Sequence, residues 1–397
     1  MAKIAVIVAP GCEEGETLAI VDVLRRCEVL CSMVGLKDRV VTGAHGITMQ
    51  CDATFGGSLL DYDMVVLPGG YGGSAAMRDD EALISALQKM DAAGRWICAI
   101  CAAPEVLGRA NLLEGKTFTC YPTVLERVEN PGKWVDEPVA QVGNMIFGQG
   151  PAIAYAFAFT LVDALGIDSG AIKDRMVYHN AFSVDGGVPS WETEAGAWPA
   201  PAKEPSAPEP LAAKSIAVIM AEGCEESETV QIADLLIRAG LTCHTFHTGK
   251  GEWVSTMQGM TIRADKPFDS HILEYDGIIV PGGRAAAAPL IASEEVMDTL
   301  RAFNNAGKLV GGMCSGTTVL EAAGVLAGKR ATGYTGYGSK LTSAQFVADQ
   351  VAVWDHNVVT SQGPATPYPF AFKVMEAVGI DPQPLKERLL YTKAGGR

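Results

Sequence analysis

Residues 96–108 read WICAICAAPEVLG. WICAI is a short apolar run with β-branched residues at its second and last positions, the pattern of a strand buried on both faces. Pro104 follows at a position where proline suits the first turn of a helix. EVLGRANLL then continues with apolar residues at helical spacing. A strand therefore turns sharply into a helix at Cys101. That geometry lifts one side chain above the carboxyl end of a sheet, as in a nucleophile elbow. Residues 309–321, LVGGMCSGTTVLE, place Cys314 at the same point.

The likeness extends over a whole domain. Cys101 maps to Cys314, Gly70 to Gly283, Tyr121 to Tyr334 and Gln149 to Gln362, each with a shift of 213. Nearer the start, Glu16 maps to Glu228 and Asp22 to Asp234 with a shift of 212. Solenoid periods are far shorter, so this is a domain duplication. Between the copies, residues 183–213 are dominated by Pro, Ala, Glu and Gly and lack periodicity, as expected of a semi-extended linker. The expected domains are residues 1–182 and 214–397. Trp191 and Trp198, in the linker, either dock on a domain surface or stay solvated.

Within each copy, strand-like runs alternate with helical ones. KIAVIVA, YDMVVLPGG and WICAIC alternate with ETLAIVDVLRR, DEALISALQKMDAAG and AIAYAFAFTLVDALG. Copy two repeats the order with SIAVIMA, YDGIIVPGG and KLVGGMC among its helices. Such alternation predicts an α/β domain, a mostly parallel sheet with helices on both faces. Sites in these sheets lie beyond the carboxyl ends of the strands. Three turns meet there: GCEEGET (11–17), LPGGYGG (67–73) and the elbow.

Composition narrows the function. The chain has 397 residues, 48% hydrophobic and 19% charged, which fits two packed cores. The net charge is -15, and no cluster of Lys and Arg offers a surface to nucleic acid. No apolar run approaches the roughly 18 residues of a membrane span. The start reads as a first strand rather than a signal peptide, and ten cysteines suit a reducing, cytoplasmic setting. No CxxC pair comes with a matching histidine set, so no metal site is expected. In CAIC, a strand would point Cys98 and Cys101 to opposite faces, which disfavours a dithiol pair.

The chemistry concentrates at the elbow. A lone cysteine is usually a buried structural residue, but one at an elbow in both copies suggests a reactive thiol. A helix amino end would lower the thiol pKa. Glu16 and Glu228 open the helix after the first strand. A carboxyl buried beside a thiol can share its proton and shuttle it during addition to a carbonyl. Glu13, Glu14, Glu225 and Glu226 read more blandly, as an acidic first turn. Gly70 and Gly283, paired with the N–H groups of Ala102 and Ser315, can face a developing oxyanion.

The ordered set GxEExET, LPGG and AICAAP, written twice, resembles the DJ/ThiJ/PfpI superfamily, in the subgroup of the Parkinson-associated protein and its bacterial relatives. TSQGPAT at 360–366 and GQGPAI at 148–153 fit the bacterial members. The resemblance covers about residues 2–182 and 214–393 and includes tandem members. It implies two flavodoxin-like (Rossmann-like) α/β sandwiches of the kind shared with class I glutamine amidotransferases. It implies Cys101 and Cys314 as reactive thiols, Glu16 and Glu228 as their protonated partners, and Gly70 and Gly283 on the oxyanion side. It places Arg26 and Arg238 near the site and the dimer surface. The family's histidine falls at Tyr121 and Tyr334, which can bind a carbonyl oxygen but are poor bases at neutral pH. His45 aligns with Gln258 and reads as a satisfied or exposed histidine. Peptidase relatives carry His directly after the cysteine, where this chain has Ala102 and Ser315. Amidotransferases need a downstream His–Glu pair that is missing here.

The resemblance implies a cofactor-independent enzyme acting on small aldehydes such as methylglyoxal, or on their adducts, in the manner of glutathione-independent glyoxalases or deglycases. The alternative is an oxidative-stress sensor or redox-regulated chaperone using the same thiols. A single active copy is a third possibility. Because relatives are dimers, the two copies are expected to form an intramolecular pseudo-dimer.

Overall fold

The computed structural model describes residues 1–181 and 208–394. Trp191 and Trp198 lie outside the described residues. The chain forms two compact units. The first takes residues 1–172, 260–262 and 386–394; the second takes 173–181, 208–259 and 263–385. Each unit thus includes a short segment from the end of the other copy.

The first unit is built on a seven-stranded sheet ordered Val139–Val142, Met145–Gly148, Trp96–Ile100, Met64–Leu67, Lys3–Val8, Leu30–Gly35, Ala53–Thr54. Only Val139–Val142 runs antiparallel, pairing Val142 with Met145 across a tight turn. In Lys3–Val8 every residue after Lys3 is buried, as both-face coverage requires. Helix Glu14–Arg26 packs with Ala154–Ala164, while Tyr71–Arg78, Glu81–Ala92 and Pro104–Arg109 contact one another. The second unit repeats the sheet in the same order: Ala352–Asp355, Val358–Ser361, Leu309–Met313, Gly277–Val280, Ser215–Met220, Thr242–His247, Lys266–Pro267.

This order puts a topological switch point at the first strand. From Lys3–Val8 the chain winds outward through Leu30–Gly35, then returns to Met64–Leu67 on the other side. Crossovers diverge there, leaving a crevice at the carboxyl ends of Lys3–Val8 and Met64–Leu67, beside the end of Trp96–Ile100. Among the described residues, no helix is long and apolar enough to cross a membrane.

Candidate active site

The three turns meet as their positions at the strand ends require. The Glu13 N–H donates to the Gly69 carbonyl at 3.0 Å, and the Gly73 N–H to the Gly11 carbonyl at 3.0 Å. Gly11 has φ +77°, which glycine adopts without steric cost. In the second unit, the Glu225 N–H likewise donates to Gly282 at 3.0 Å. The elbow is anchored from the next strand: the Cys101 N–H donates to Gly148 at 2.9 Å, and the Cys314 N–H to Ser361 at 3.1 Å.

Both cysteines occupy the left-handed region, with φ 60° at Cys101 and 52° at Cys314. A side chain there is strained, and such strain collects at functional sites. All ten cysteines are free thiols. Eight are buried residues, and Cys101 and Cys314 are half-buried.

Glu16 and Glu228 are fully buried in the first turns of their helices. One oxygen of Glu16 accepts the Gly69 N–H at 2.8 Å, and the corresponding oxygen of Glu228 accepts Gly282 at 2.5 Å. Each carboxyl hydrogen-bonds its elbow thiol. Burial pushes both thiols well above their ordinary value, and the facing carboxylate pushes the same way. The helix amino end was expected to pull the thiol down. It loses to desolvation and to a like charge at hydrogen-bonding distance. Thiol and carboxyl are thus coupled: a negative charge on either one disfavours a negative charge on the other.

Of the expected oxyanion donors, the Gly70 N–H bonds the Cys101 sulfur, and the Ser315 N–H bonds the Cys314 sulfur. Gly70 and Gly283 have φ +88° and +118° and start the helices after the PGG turns. Ala102 and Ser315 are buried directly after the thiols.

Tyr121 closes on the elbow through its backbone, donating N–H to the Cys101 carbonyl at 2.9 Å. Its hydroxyl donates to the Arg388 carbonyl at 2.9 Å, and the Tyr334 hydroxyl donates to Arg175 at the same distance. These phenols tie down a chain segment. Arg26 and Arg238 sit in the last turns of their helices, ten residues beyond Glu16 and Glu228, or about 15 Å along the axis. Each pairs with the aspartate one turn earlier, Asp22 at 2.6 Å and Asp234 at 2.8 Å.

Two features escaped the sequence reading. At Gly69, an added Cβ would stand 2.6 Å from the Cys101 Cβ and 2.7 Å from Glu16 Oε2. At Gly282, it would stand 2.5 Å from Glu228 Oε2 and 2.7 Å from the Cys314 Cβ. Thiol and carboxyl meet over a missing side chain, and the first glycine of each PGG was the available signal. Second, Glu14 accepts the N–H groups of His45 at 2.7 Å and Ile47 at 3.3 Å, and its other oxygen lies 3.2 Å from the His45 ring. Glu226 accepts the Gln258 N–H at 3.0 Å. These carboxylates hold a neighbouring turn, and nothing in their spacing announced it.

A model of the DJ-1/PfpI family matches residues 2–164 and 214–377. Protein DJ-1 homolog B of Arabidopsis thaliana is 31% identical over 387 residues, covering 94% of this chain and 84% of the relative. A deglycase of Pyrococcus horikoshii is 34% identical over 127 residues, 32% of this chain and 76% of that protein. The crystal structure of a mutant DJ-1 superfamily protein from Salmonella typhimurium is 36% identical, covering 45% of this chain and 97% of that one, with a TM-score of 0.41.

Proposed function

The chain belongs to the DJ-1/PfpI family, and on that premise we propose that each half carries a cysteine-dependent site for small reactive carbonyl compounds. One observation carries the reading. The two half-buried cysteines are the two that face a buried carboxyl at a strand-to-helix elbow. The deglycase name borne by one partial relative is in keeping with it.

The chemistry follows from the coupled pair. As the Cys101 sulfur attacks the aldehyde carbon, Glu16 takes the thiol proton, a C–S bond forms, and the C=O electron pair moves to oxygen. Backbone N–H groups steady that oxygen, and Glu16 returns the proton to it, giving a hemithioacetal. For methylglyoxal, moving a proton from the thiol-bearing carbon to its neighbour through Glu16, while the hydroxyl proton passes to the former ketone oxygen, gives a thioester of the 2-hydroxy acid. Water then cleaves the C–S bond, releasing lactate and the thiol. Cys314 and Glu228 act alike. The tyrosines have no part in proton transfer, because their hydroxyl protons lie on backbone carbonyls. The route needs water and groups of the chain itself.

The test is lactate formation from methylglyoxal by wild type, Cys101→Ser, Cys314→Ser and the double variant. Lactate from wild type and none from the double variant is the expected result. No lactate above background, with stoichiometric oxidation of the two elbow thiols by peroxide, would replace the enzyme with the redox-sensor reading. That reading rests on the same two half-buried cysteines. We further infer that residues 1–182 and 214–397 act as an intramolecular pseudo-dimer in the cytoplasm, where reduced cysteines persist. A solution mass of one chain, 41.8 kDa, is expected, and a mass of twice that would overturn it.

A further inference from the structure

The two elbow sites differ at the mouth, and the difference is one of charge. In the first, two arginines share one buried acid. Arg127 lies 3.0 Å from Glu105 Oε2, and Arg78 lies 3.6 Å from the same oxygen. Glu105 is fully buried. Arg127 also stacks 5.3 Å over Tyr71, whose hydroxyl is bonded to Thr123 at 2.7 Å.

In the second, the same positions read differently. Thr318 replaces Glu105, Ile291 replaces Arg78, Arg284 replaces Tyr71, Tyr337 replaces Val124, and Lys340 replaces Arg127. Two cations remain and the acid is gone. Lys340 sits 4.0 Å over the Tyr337 ring, and Tyr337 lies 5.6 Å from Tyr334, which follows the elbow as Tyr121 does. Tyr337 is within electrostatic reach of Cys314, Arg284 and Glu228. Arg284 directly follows Gly283 and is exposed, as is Lys340. Among the described residues, neither cation has an acidic partner, and the Tyr337 hydroxyl makes no hydrogen bond. Unmatched donors and positive charge at the mouth of a cleft attract and orient an anion.

We propose that the second elbow site takes a small carbonyl compound bearing a carboxylate, held by Arg284, Lys340 and the Tyr337 hydroxyl, while the first takes uncharged ones. The substrate class rests on the carbonyl chemistry proposed above; the anion site does not. The covalent step is unchanged: Cys314 adds to the carbonyl carbon, its proton passes to Glu228, and the carbonyl electron pair moves to oxygen, which takes that proton. The carboxylate stays intact as the handle.

The experiment uses the whole chain and needs no turnover. Iodoacetate and iodoacetamide alkylate the same sulfur and differ in charge. Their rates at Cys101 and Cys314 are read separately by peptide mass spectrometry. The iodoacetate-to-iodoacetamide ratio is expected to be about tenfold higher at Cys314 at low salt, and to shrink as salt rises. In the double variant Arg284→Gln, Lys340→Gln it falls to the Cys101 value. Equal ratios at the two thiols, or a Cys314 ratio untouched by the double variant, overturn the proposal. Calorimetric titration with oxamate gives an answer free of thiol chemistry: binding at the second site is expected in wild type and lost in the double variant, and equal binding by both also overturns it. Should the anion site pass these tests while no lactate forms from methylglyoxal, the carbonyl reading fails and the anion site stands.

Discussion

At the scale of single residues, the site depends on an atom that is missing. Gly69 lets the Cys101 thiol and the Glu16 carboxyl share one space, and its N–H fixes the carboxyl. Its partners there are a strained elbow and a buried helix turn, neither free to retreat. Gly69→Ala should therefore separate thiol from carboxyl. Overpacking of this kind costs about 1–3 kcal/mol, and loss of the positioned proton carrier about 100-fold or more in rate. Gly56→Ala, where an added Cβ meets nothing within 4 Å, is the control and should change neither. Lactate formation and thermal unfolding of both variants check this, and a Gly69→Ala protein with wild-type rate would show that the pair does not work as a unit.

At the scale of elements, much was legible because strand–turn–helix junctions leave local marks. Pro104 after Cys101, the PGG after Met64–Leu67 and the glycine-led acidic turn after Lys3–Val8 each announced a strand end. From the alternation of runs came the parallel sheet, and from the elbow its reactive end. What stayed hidden depends on partners distant in sequence. No local pattern says that Glu14 will hold the turn at His45 and Ile47, or that Tyr121 will reach Arg388. The tyrosines read as substrate-facing; in the structure the Tyr121 hydroxyl holds the segment ending in helix Tyr391–Ala394, and the Tyr334 hydroxyl the segment ending in helix Tyr178–Ala181. Tyr121→Phe should accordingly cost about 1 kcal/mol of stability and leave lactate formation within about threefold. A loss of 100-fold with stability intact would return the phenol to the chemistry.

At the scale of the whole molecule, the buried thiols make the fold sensitive to base. Burial holds Cys31, Cys51, Cys120 and Cys224 up at about 12, against an ordinary value of 9.0. In the unfolded chain they ionise near 8.5. The unfolded state thus releases protons first as pH rises, so stability is whole below that point and falls until the folded thiols ionise. The slope is about 1.4 kcal/mol per pH unit for each such thiol. Denaturant midpoints should match at pH 7 and 8 and drop steeply by pH 10; a flat profile would mean that these thiols are not buried in solution. The composition of the units has a consequence of another kind. Residues 386–394 complete the first unit and residues 173–181 the second, with the Ala152 N–H donating to Leu389 at 3.1 Å and the Ala365 N–H to Met176 at 2.9 Å. A gene that discarded either copy would leave the survivor without its closing segment. Selection can then keep both halves in step even when one has lost its chemistry, so the duplication ratchets forward: the copies are free to diverge at their mouths, and neither is free to leave.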